Sequence, residues 1–414
     1  MMKISANSIE TCQLVVTKNV FLLMLLTMVS TAANADPDGF FSPYVMGSYN
    51  YDSNFFRLQN DQAAMAKLGT SNMAESYFLL SAGANMNLHI SRQLIKARAE
   101  VNQTRFNKYK VLNFDGYDGL LQWDWLIGSA LSGDVGASEK TVQGSFVNIQ
   151  QPINNLITVK QAFFHGGLQL GAPWKVKFGV EKNQTTNSLA SQYTLDSTVD
   201  TYKTGLQYQT RKGSLLELTS QMSDGRYPNR QIVGLAPVDN GYKQWDNGIE
   251  ATWEPTGKTK LQGHLNYTQR RYADVPQRDF SGFTGLLSAN WQITDKTGLG
   301  LLFYRDIGVV ENSTASYSVN RGVALSAAWK ATDKTVFNLN IAQSRISYTG
   351  DPGFVLSTAP AREDKLSTVQ AGVSYAVLRN TNLGVTLQRG VNQSNQDLLS
   401  YRFNSVMLNL RSAF

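Results

Sequence analysis

Residues 78–102 read Phe-Leu-Leu-Ser-Ala-Gly-Ala-Asn-Met-Asn-Leu-His-Ile-Ser-Arg-Gln-Leu-Ile-Lys-Ala-Arg-Ala-Glu-Val-Asn. Phe78, Leu80, Ala82, Ala84, Met86, Leu88 and Ile90 recur with period two, and Ser81, Asn85, Asn87 and His89 fill the alternate positions. Beyond Ser91-Arg92 the alternation resumes, with Ile95, Ala97, Ala99 and Val101 opposed to Lys96, Arg98, Glu100 and Asn102. Side chains of a strand point to opposite faces in turn, so this is a hairpin of two long strands with one apolar and one polar face.

The same pattern continues outward in both directions. Ile249, Ala251 and Trp253 oppose Asp246, Glu250 and Thr252; Val369, Ala371, Val373, Tyr375 and Val377 oppose Thr368, Gln370 and Ser374. About 18 strands can be counted, starting near residues 41, 76, 94, 118, 131, 157, 175, 200, 214, 243, 259, 281, 298, 320, 335, 366, 383 and 401. Their joins alternate strictly. Tight turns lie near Ser91-Arg92, Gly128-Ser129, Ala172-Pro173, Arg211-Lys212-Gly213, Pro255-Thr256-Gly257, Thr294-Asp295-Lys296, Thr332-Asp333-Lys334 and Asn380-Thr381-Asn382. Longer polar loops lie between them, near residues 53–74, 107–117, 143–156, 186–198, 224–241, 272–280, 309–319, 348–364 and 392–400. A soluble sandwich also alternates, but it gives no reason for short and long joins to alternate. The expected fold is all-β: a transmembrane antiparallel up-and-down β-barrel with short periplasmic turns and long extracellular loops.

Aromatic placement agrees. Trp123, Trp125, Trp253, Trp291 and Trp329 precede short turns and Trp174 follows one, while Tyr49, Tyr51, Tyr202, Tyr267, Tyr348 and Tyr401 lie near the long loops. Two membrane interfaces select two such bands. Trp253-Glu-Pro-Thr-Gly-Lys-Thr, Trp291-Gln-Ile-Thr-Asp-Lys-Thr and Trp329-Lys-Ala-Thr-Asp-Lys-Thr form an internal repeat of strand, turn, strand and loop.

The bulk properties fit. Of 414 residues 42% are hydrophobic and 17% charged, and mean hydropathy is −0.26, as expected when only every second strand residue meets lipid. The net charge of +7 is spread without a dense Lys/Arg run, which argues against a nucleic-acid partner. Val20–Val29 is a short apolar run preceded by Lys3 and Lys18 and followed by Ala33-Asn34-Ala35. This reads as an export leader over 1–35, cleaved between Ala35 and Asp36, followed by a barrel over 36–414. The single cysteine, Cys12, falls in that leader, so no disulfide scaffold or cysteine site is expected after cleavage. The destination is the outer membrane of a Gram-negative cell, reached by the general secretory route. The final strand carries Val406, Leu408, Leu410 and Phe414 on one face. Leu408, Leu410 and the terminal Phe414 resemble the signal read by the barrel-assembly machinery.

In lipid an unpaired backbone amide costs several kcal/mol, so an open sheet edge is excluded and the sheet must close. At this size wall side chains cannot fill the lumen. Alternation turns Lys96, Arg98, Glu100, Lys160, Lys175, Lys177, Lys203, Arg211, Asp246, Glu250, Arg270, Arg321 and Arg411 inward as candidate pore-lining residues. They form either an electropositive conduit with acidic counter-charges or a solvated wall whose charges pair across strands. In the strand starting near 298, Leu299, Leu301 and Phe303 turned to lipid would carry Arg305 outward and leave Tyr304 and Asp306 inside; a one-residue bulge would reverse this. Loops 53–74, 143–156 and 224–241 are candidates to fold inward. The second, holding Phe146, Val147, Ile149, Ile153 and Leu156, is apolar for an exposed loop, and local collapse is its alternative. An outer-membrane hydrolase would need a serine, a histidine and an orienting group. His89, His165 and His264 sit on separate strands, no serine lies in a nucleophile turn, and no phosphate loop, cofactor motif or metal-ligand cluster is present in the sequence. A conduit without catalysis or cofactor is therefore the expectation.

Pro43-Tyr44-Val45, Tyr51-Asp-Ser-Asn-Phe-Phe-Arg-Leu58, Leu121-Gln-Trp-Asp-Trp125 with Leu131-Ser-Gly133, and the Trp…Thr-Asp-Lys-Thr repeats together resemble EpsL-type outer-membrane proteins of the β-barrel porin-2 group. Those are associated with exosortase/PEP-CTERM exopolysaccharide loci. The resemblance implies a channel taking part in export of an extracellular polysaccharide, with that polymer, outer-membrane lipid and a periplasmic or inner-membrane export component as partners. It supplies no residue roles. A general or substrate-specific uptake porin is the alternative, since a water-filled barrel has no intrinsic direction.

Overall fold

Most of the described backbone pairs into strands, because each long run alternates and each short join can turn. The computed structural model describes residues 40–229, 231–233, 236–274, 276–309, 317–349, 360–396 and 398–414. The expected leader and its Ala35–Asp36 cleavage site lie outside the described residues. The strands are β1 (Phe41–Asp52), β2 (Glu75–Ile90), β3 (Gln93–Phe106), β4 (Phe114–Ile127), β5 (Leu131–Gln143), β6 (Leu156–Gly171), β7 (Trp174–Asn187), β8 (Ser197–Gln209), β9 (Leu215–Arg226), β10 (Gln231–Val233), β11 (Ala236–Val238), β12 (Tyr242–Thr256), β13 (Thr259–Tyr272), β14 (Phe280–Thr294), β15 (Thr297–Val309), β16 (Tyr317–Lys330), β17 (Thr335–Thr349), β18 (Glu363–Leu378), β19 (Thr381–Ser394) and β20 (Tyr401–Ala413). Two short helices, α1 (Asp61–Leu68) and α2 (Phe146–Ile149), lie in the β1–β2 and β5–β6 loops.

β10 and β11 pair only with each other. The other eighteen strands form one sheet, each antiparallel to its chain neighbour, with β9 pairing directly to β12. The sheet closes where β1 meets β20, from Tyr44 opposite Ala413 to Asp52 opposite Ser405. Among the described strands of this sheet, none is left with a free edge for lipid to face. Every strand start read from the sequence falls within four residues of the observed one. Gly128 (φ 60) and Gly213 (φ 90) take the left-handed conformation in two of the tight turns, where a Cβ would be strained.

Register fixes the faces. Leu88 opposes Ile95, Met86 opposes Ala97 and Ala82 opposes Val101 on the outer side, while Asn87–Lys96, Asn85–Arg98 and Ser81–Asn102 face the lumen. In the strand whose phase the sequence left open there is no bulge along Gly285–Trp291, which opposes Leu299–Arg305: Leu299, Leu301, Phe303 and Arg305 point out, and Tyr304 and Asp306 point in. Trp123, Trp174, Trp253, Trp291 and Trp329 stand exposed on the outer face near the short turns. Tyr49, Tyr51, Tyr202 and Tyr267 are exposed on the outer face at the loop side, joined by Tyr117. Tyr348 and Tyr401 differ from that expectation: the registers Ser318–Tyr348 and Asn392–Tyr401 turn them inward.

Leu325 sits outward near the middle of β16, opposite Ile341. Leu325→Arg is expected to destabilise the barrel in a lipid bilayer by about 2–4 kcal/mol, measured by urea titration in vesicles. Asn340→Arg, on the adjacent inner face, should cost much less.

Candidate functional site

The lumen wall is built by the inward residues of the eighteen sheet strands, and many of its charges are paired. Lys96 lies 2.5 Å from Asp124, Arg98 2.7 Å from Asp118, Lys177 2.9 Å from Glu217 and Lys203 2.8 Å from Glu250. The last two pairs reach over an intervening strand. Glu217 does so across Gly205, where a Cβ would collide with its carboxylate. Glu100 accepts from the Tyr44 hydroxyl at 2.5 Å, and Arg411 lies over the Tyr44 ring at 4.7 Å. Lys175 donates to Ser132 Oγ at 2.8 Å. Asp246 accepts from Thr268 Oγ1 at 2.5 Å and from Gln244 Nε2 at 2.7 Å, and Arg270 donates to Gln244 Oε1 at 2.7 Å with its guanidinium over Tyr242. His165 bridges Asp134 at 2.9 Å and Glu181 at 3.1 Å. Of the two readings the sequence allowed, this arrangement is the wall whose charges pair across strands.

Three of the thirteen expected lumen residues are elsewhere. Lys160 points outward: it opposes Gln184 and Glu139, in phase with Ala162 and Phe164, and pairs with Glu139 at 3.1 Å. Arg321 also points outward, because it shares the phase of Val323, Leu325 and Trp329, which meet lipid. Arg211 is not on a strand; it is exposed in the β8–β9 turn that ends at Gly213. The structure brings the other ten onto the inner face.

Large inward-facing rings do not fill the lumen. Tyr44 opposes Gly83, Phe163 opposes Gly136, Tyr242 opposes Gly225, Tyr304 opposes Gly322 and Phe403 opposes Gly390. In each case a Cβ on the glycine would stand within 2.8 Å of ring atoms. The rings therefore lie against the wall in the space the missing side chain leaves.

At the loop end of the wall the β1–β2, β3–β4 and β5–β6 loops pack into an apolar cluster. Phe56, Leu58, Ala64, Leu112 and Phe146 are buried with the inward strand residue Phe106, and inward-facing Tyr77 packs alongside. Phe55 packs tilted against Phe146 at 4.9 Å between ring centroids, and Phe56 meets Phe146 edge-on at 5.1 Å. The expected inward or wall-packed placement of loop 143–156 is thus what forms at Phe146. Local signals order these loops. Asn60 caps α1 by accepting from Ala63 N, and Gly69 ends it at φ 70. Asn54 bonds both to Leu58 and, across the seam, to the Arg402 carbonyl. Arg57 clamps Asp52 through two donors and covers the Phe403 ring at 3.8 Å. Glu75, 2% exposed, accepts from the backbone of Ser76, Lys108 and Tyr109. Burial, with Glu75 nearby, pushes the Tyr109 phenol up; burial pulls down the Lys67 ammonium, which bonds Gln150 at 2.6 Å. The sequence reading missed α1, although Asn60, Ala63, Ala64 and Gly69 are a legible helix with both caps. Farther round the rim Arg362 lies over Tyr348 at 4.4 Å and donates to Asp364.

Residues 256–414 match the family model described as "Putative beta-barrel porin 2". That span holds β13–β20, and the match supports the porin-2 resemblance. No curated protein matches the chain. Solved structures similar in shape include the outer membrane protein OpdK from Pseudomonas aeruginosa, 10% identical over 90% of this chain and 99% of that one, with a TM-score of 0.49. OccAB3 from Acinetobacter baumannii is 8% identical over 90% and 98%, with a TM-score of 0.49. The siderophore receptor PirA from P. aeruginosa is 11% identical over 91% and 81%, with a TM-score of 0.44. The fold rests on this chain's own register. A closed eighteen-strand barrel with an apolar outer face, matched in its second half by a porin family, is an outer-membrane protein.

Phe146→Ala is expected to remove about 3–5 kcal/mol of local packing. Protease cleavage within 144–155 should accelerate more than tenfold, while the barrel keeps its folded, heat-modifiable migration on gels.

Proposed function

We propose that this barrel is an outer-membrane channel taking part in the export of an extracellular polysaccharide, of the EpsL type that its motifs resemble. The observation that supports this best is the character of the inner wall. Lys96, Arg98, Lys177 and Lys203 are held by carboxylates, five rings lie over glycines, and much of what remains is amide and hydroxyl, as at Asn85, Asn102, Ser138, Gln161, Thr219, Asn266, Asn338, Asn340, Gln370 and Gln388. Such a wall presents donors and acceptors of both kinds with no single-sign field. It suits a hydroxyl-rich, weakly charged polymer better than a small ion, which a one-sign ring would select. The barrel holds no energy source, so a periplasmic or inner-membrane export component would deliver the polymer to the short-turn side. A leader ending at Ala35 would send the chain through the general secretory route. The barrel-assembly machinery would read Leu408, Leu410 and Phe414, which stand exposed on the outer face of β20 and at its end.

An uptake porin is the second reading, favoured by the printed description of the family matched over 256–414. Single-channel recording with polymer added to either side separates the two. Export predicts that neutral and weakly acidic polysaccharides block from the short-turn side at lower concentration than small sugars or amino acids. A channel indifferent to polymer and saturated by a small solute would establish uptake instead. The paired wall predicts a cation-to-anion permeability ratio near one; Glu217→Gln with Glu250→Gln, which frees Lys177 from Glu217 and Lys203 from Glu250, should make the channel anion-selective. Deleting Phe414 should lower the assembled fraction in cells several-fold and leave refolding in detergent unchanged; equal loss in both would remove its role as an assembly signal.

A further inference from the structure

The outer face carries charge too, and it is unevenly distributed. Arg305 on β15 opposes Arg321 on β16, Arg321 opposes Arg345 on β17, and Arg345 opposes Lys365 on β18. Four cations therefore stand side by side across four adjacent strands. Arg389 on β19 and Arg402 on β20 continue outward on the same flank, in the registers Val369–Arg389 and Val391–Arg402. Each of the six lies within five residues of the loop-side end of its strand. Among the described outward-facing residues of β15–β20 the one carboxylate is Glu363, which holds Arg345 at 3.0 Å. Arg305 spends one donor on the Phe283 carbonyl, and Arg321 makes no hydrogen bond or ion pair with a described residue. On the opposite flank carboxylates stand among the outward cations: Lys160 sits on Glu139, Arg226 on Asp200, and Arg271 on Asp279 at 3.5 Å, while Lys182 opposes Asp200 and Lys243 opposes Asp224 in register.

Like charges directly opposite each other on a sheet repel, so such a ladder costs stability unless an anion bridges it. Its height identifies the anion. Arg321 is eight residues from Trp329 on the same face of β16, about 27 Å along a strand. A strand tilt of 35–45° reduces this to about 20 Å along the membrane normal, close to the apolar thickness of such a barrel. Val323, Leu325 and Ala327 fill the interval on that face. Arg321 thus meets the headgroups of the outer leaflet as Trp329 meets those of the inner. Arginine forks match phosphate oxygens in pairs, and acyl chains would lie on the apolar rows beneath.

We propose that the β15–β20 flank is a docking surface for a phosphorylated glycolipid of the outer leaflet, whose phosphates bridge Arg305, Arg321, Arg345 and Lys365. The test adds purified lipopolysaccharide to the refolded full-length mature barrel in detergent and counts bound copies by native mass spectrometry. Arg305→Gln, Arg321→Gln and Arg345→Gln together should weaken binding about tenfold or more. The same three as lysines should keep most of it. Lys160→Gln with Arg226→Gln, on the opposite flank, should leave it unchanged, and dephosphorylated lipopolysaccharide should bind no better than phosphatidylcholine. Wild-type binding by the triple glutamine variant, equal loss in the opposite-flank control, or undiminished binding of the dephosphorylated lipid would each overturn the proposal. Should the triple variant fail to fold, Glu363→Gln decides: it frees Arg345 and should tighten binding, and unchanged or weaker binding would refute the docking surface.

Discussion

Pairing of the backbone is the constraint on which everything else in this molecule depends. Hydrocarbon offers no partner to an amide or carbonyl, so each strand must be satisfied by its two neighbours and the last must satisfy the first. The seam between β1 and β20 does this. Once the sheet is closed, the period of two leaves each side chain only one of two surroundings, water inside or lipid outside. Composition, aromatic girdles and charge all follow from that division.

Charge is handled differently on the two sides. Inside, Lys96, Arg98, Lys177 and Lys203 each meet a carboxylate from another strand. The pairs are bathed in lumen water, so each adds little stability; what they set is a wall without a dominant sign. Outside, a charge is tolerable only where the apolar band stops. There the molecule is two-faced, mixed in sign on β5–β14 but predominantly basic on β15–β20, where Glu363 is the one described outward carboxylate. The loop cluster around Phe56 and Phe146 belongs to the β1–β6 sector, so the barrel has a side of packed loops and a basic side rather than a uniform rim.

Strands, turns and most faces are legible in the sequence because they depend on local alternation and on turn residues, and both survive without knowledge of partners. The outward placements of Lys160 and Arg321 are legible in the same terms, since Phe164 and Val323 fix their phase. Arg211 sits where a strand end and a turn differ by two residues, a distinction alternation cannot make. Tyr348 and Tyr401 look like interface residues by height alone, and only register turns them inward. Least legible are the ring-over-glycine pairs. All five, Tyr44–Gly83 through Phe403–Gly390, join strands connected by a long loop. A two-residue turn dictates its register, whereas a loop of six or more residues leaves it free.

Those five pairs also constrain how this wall can change over generations. Adding a side chain at Gly390 drives it into Phe403, and shrinking Phe403 alone leaves a notch in the lining. Neither residue can drift independently through intermediates of full fitness. Each pair is therefore expected to change as a unit, and five such units spaced around the circumference should make the bore of the channel harder to alter by single steps than the loops that crown it.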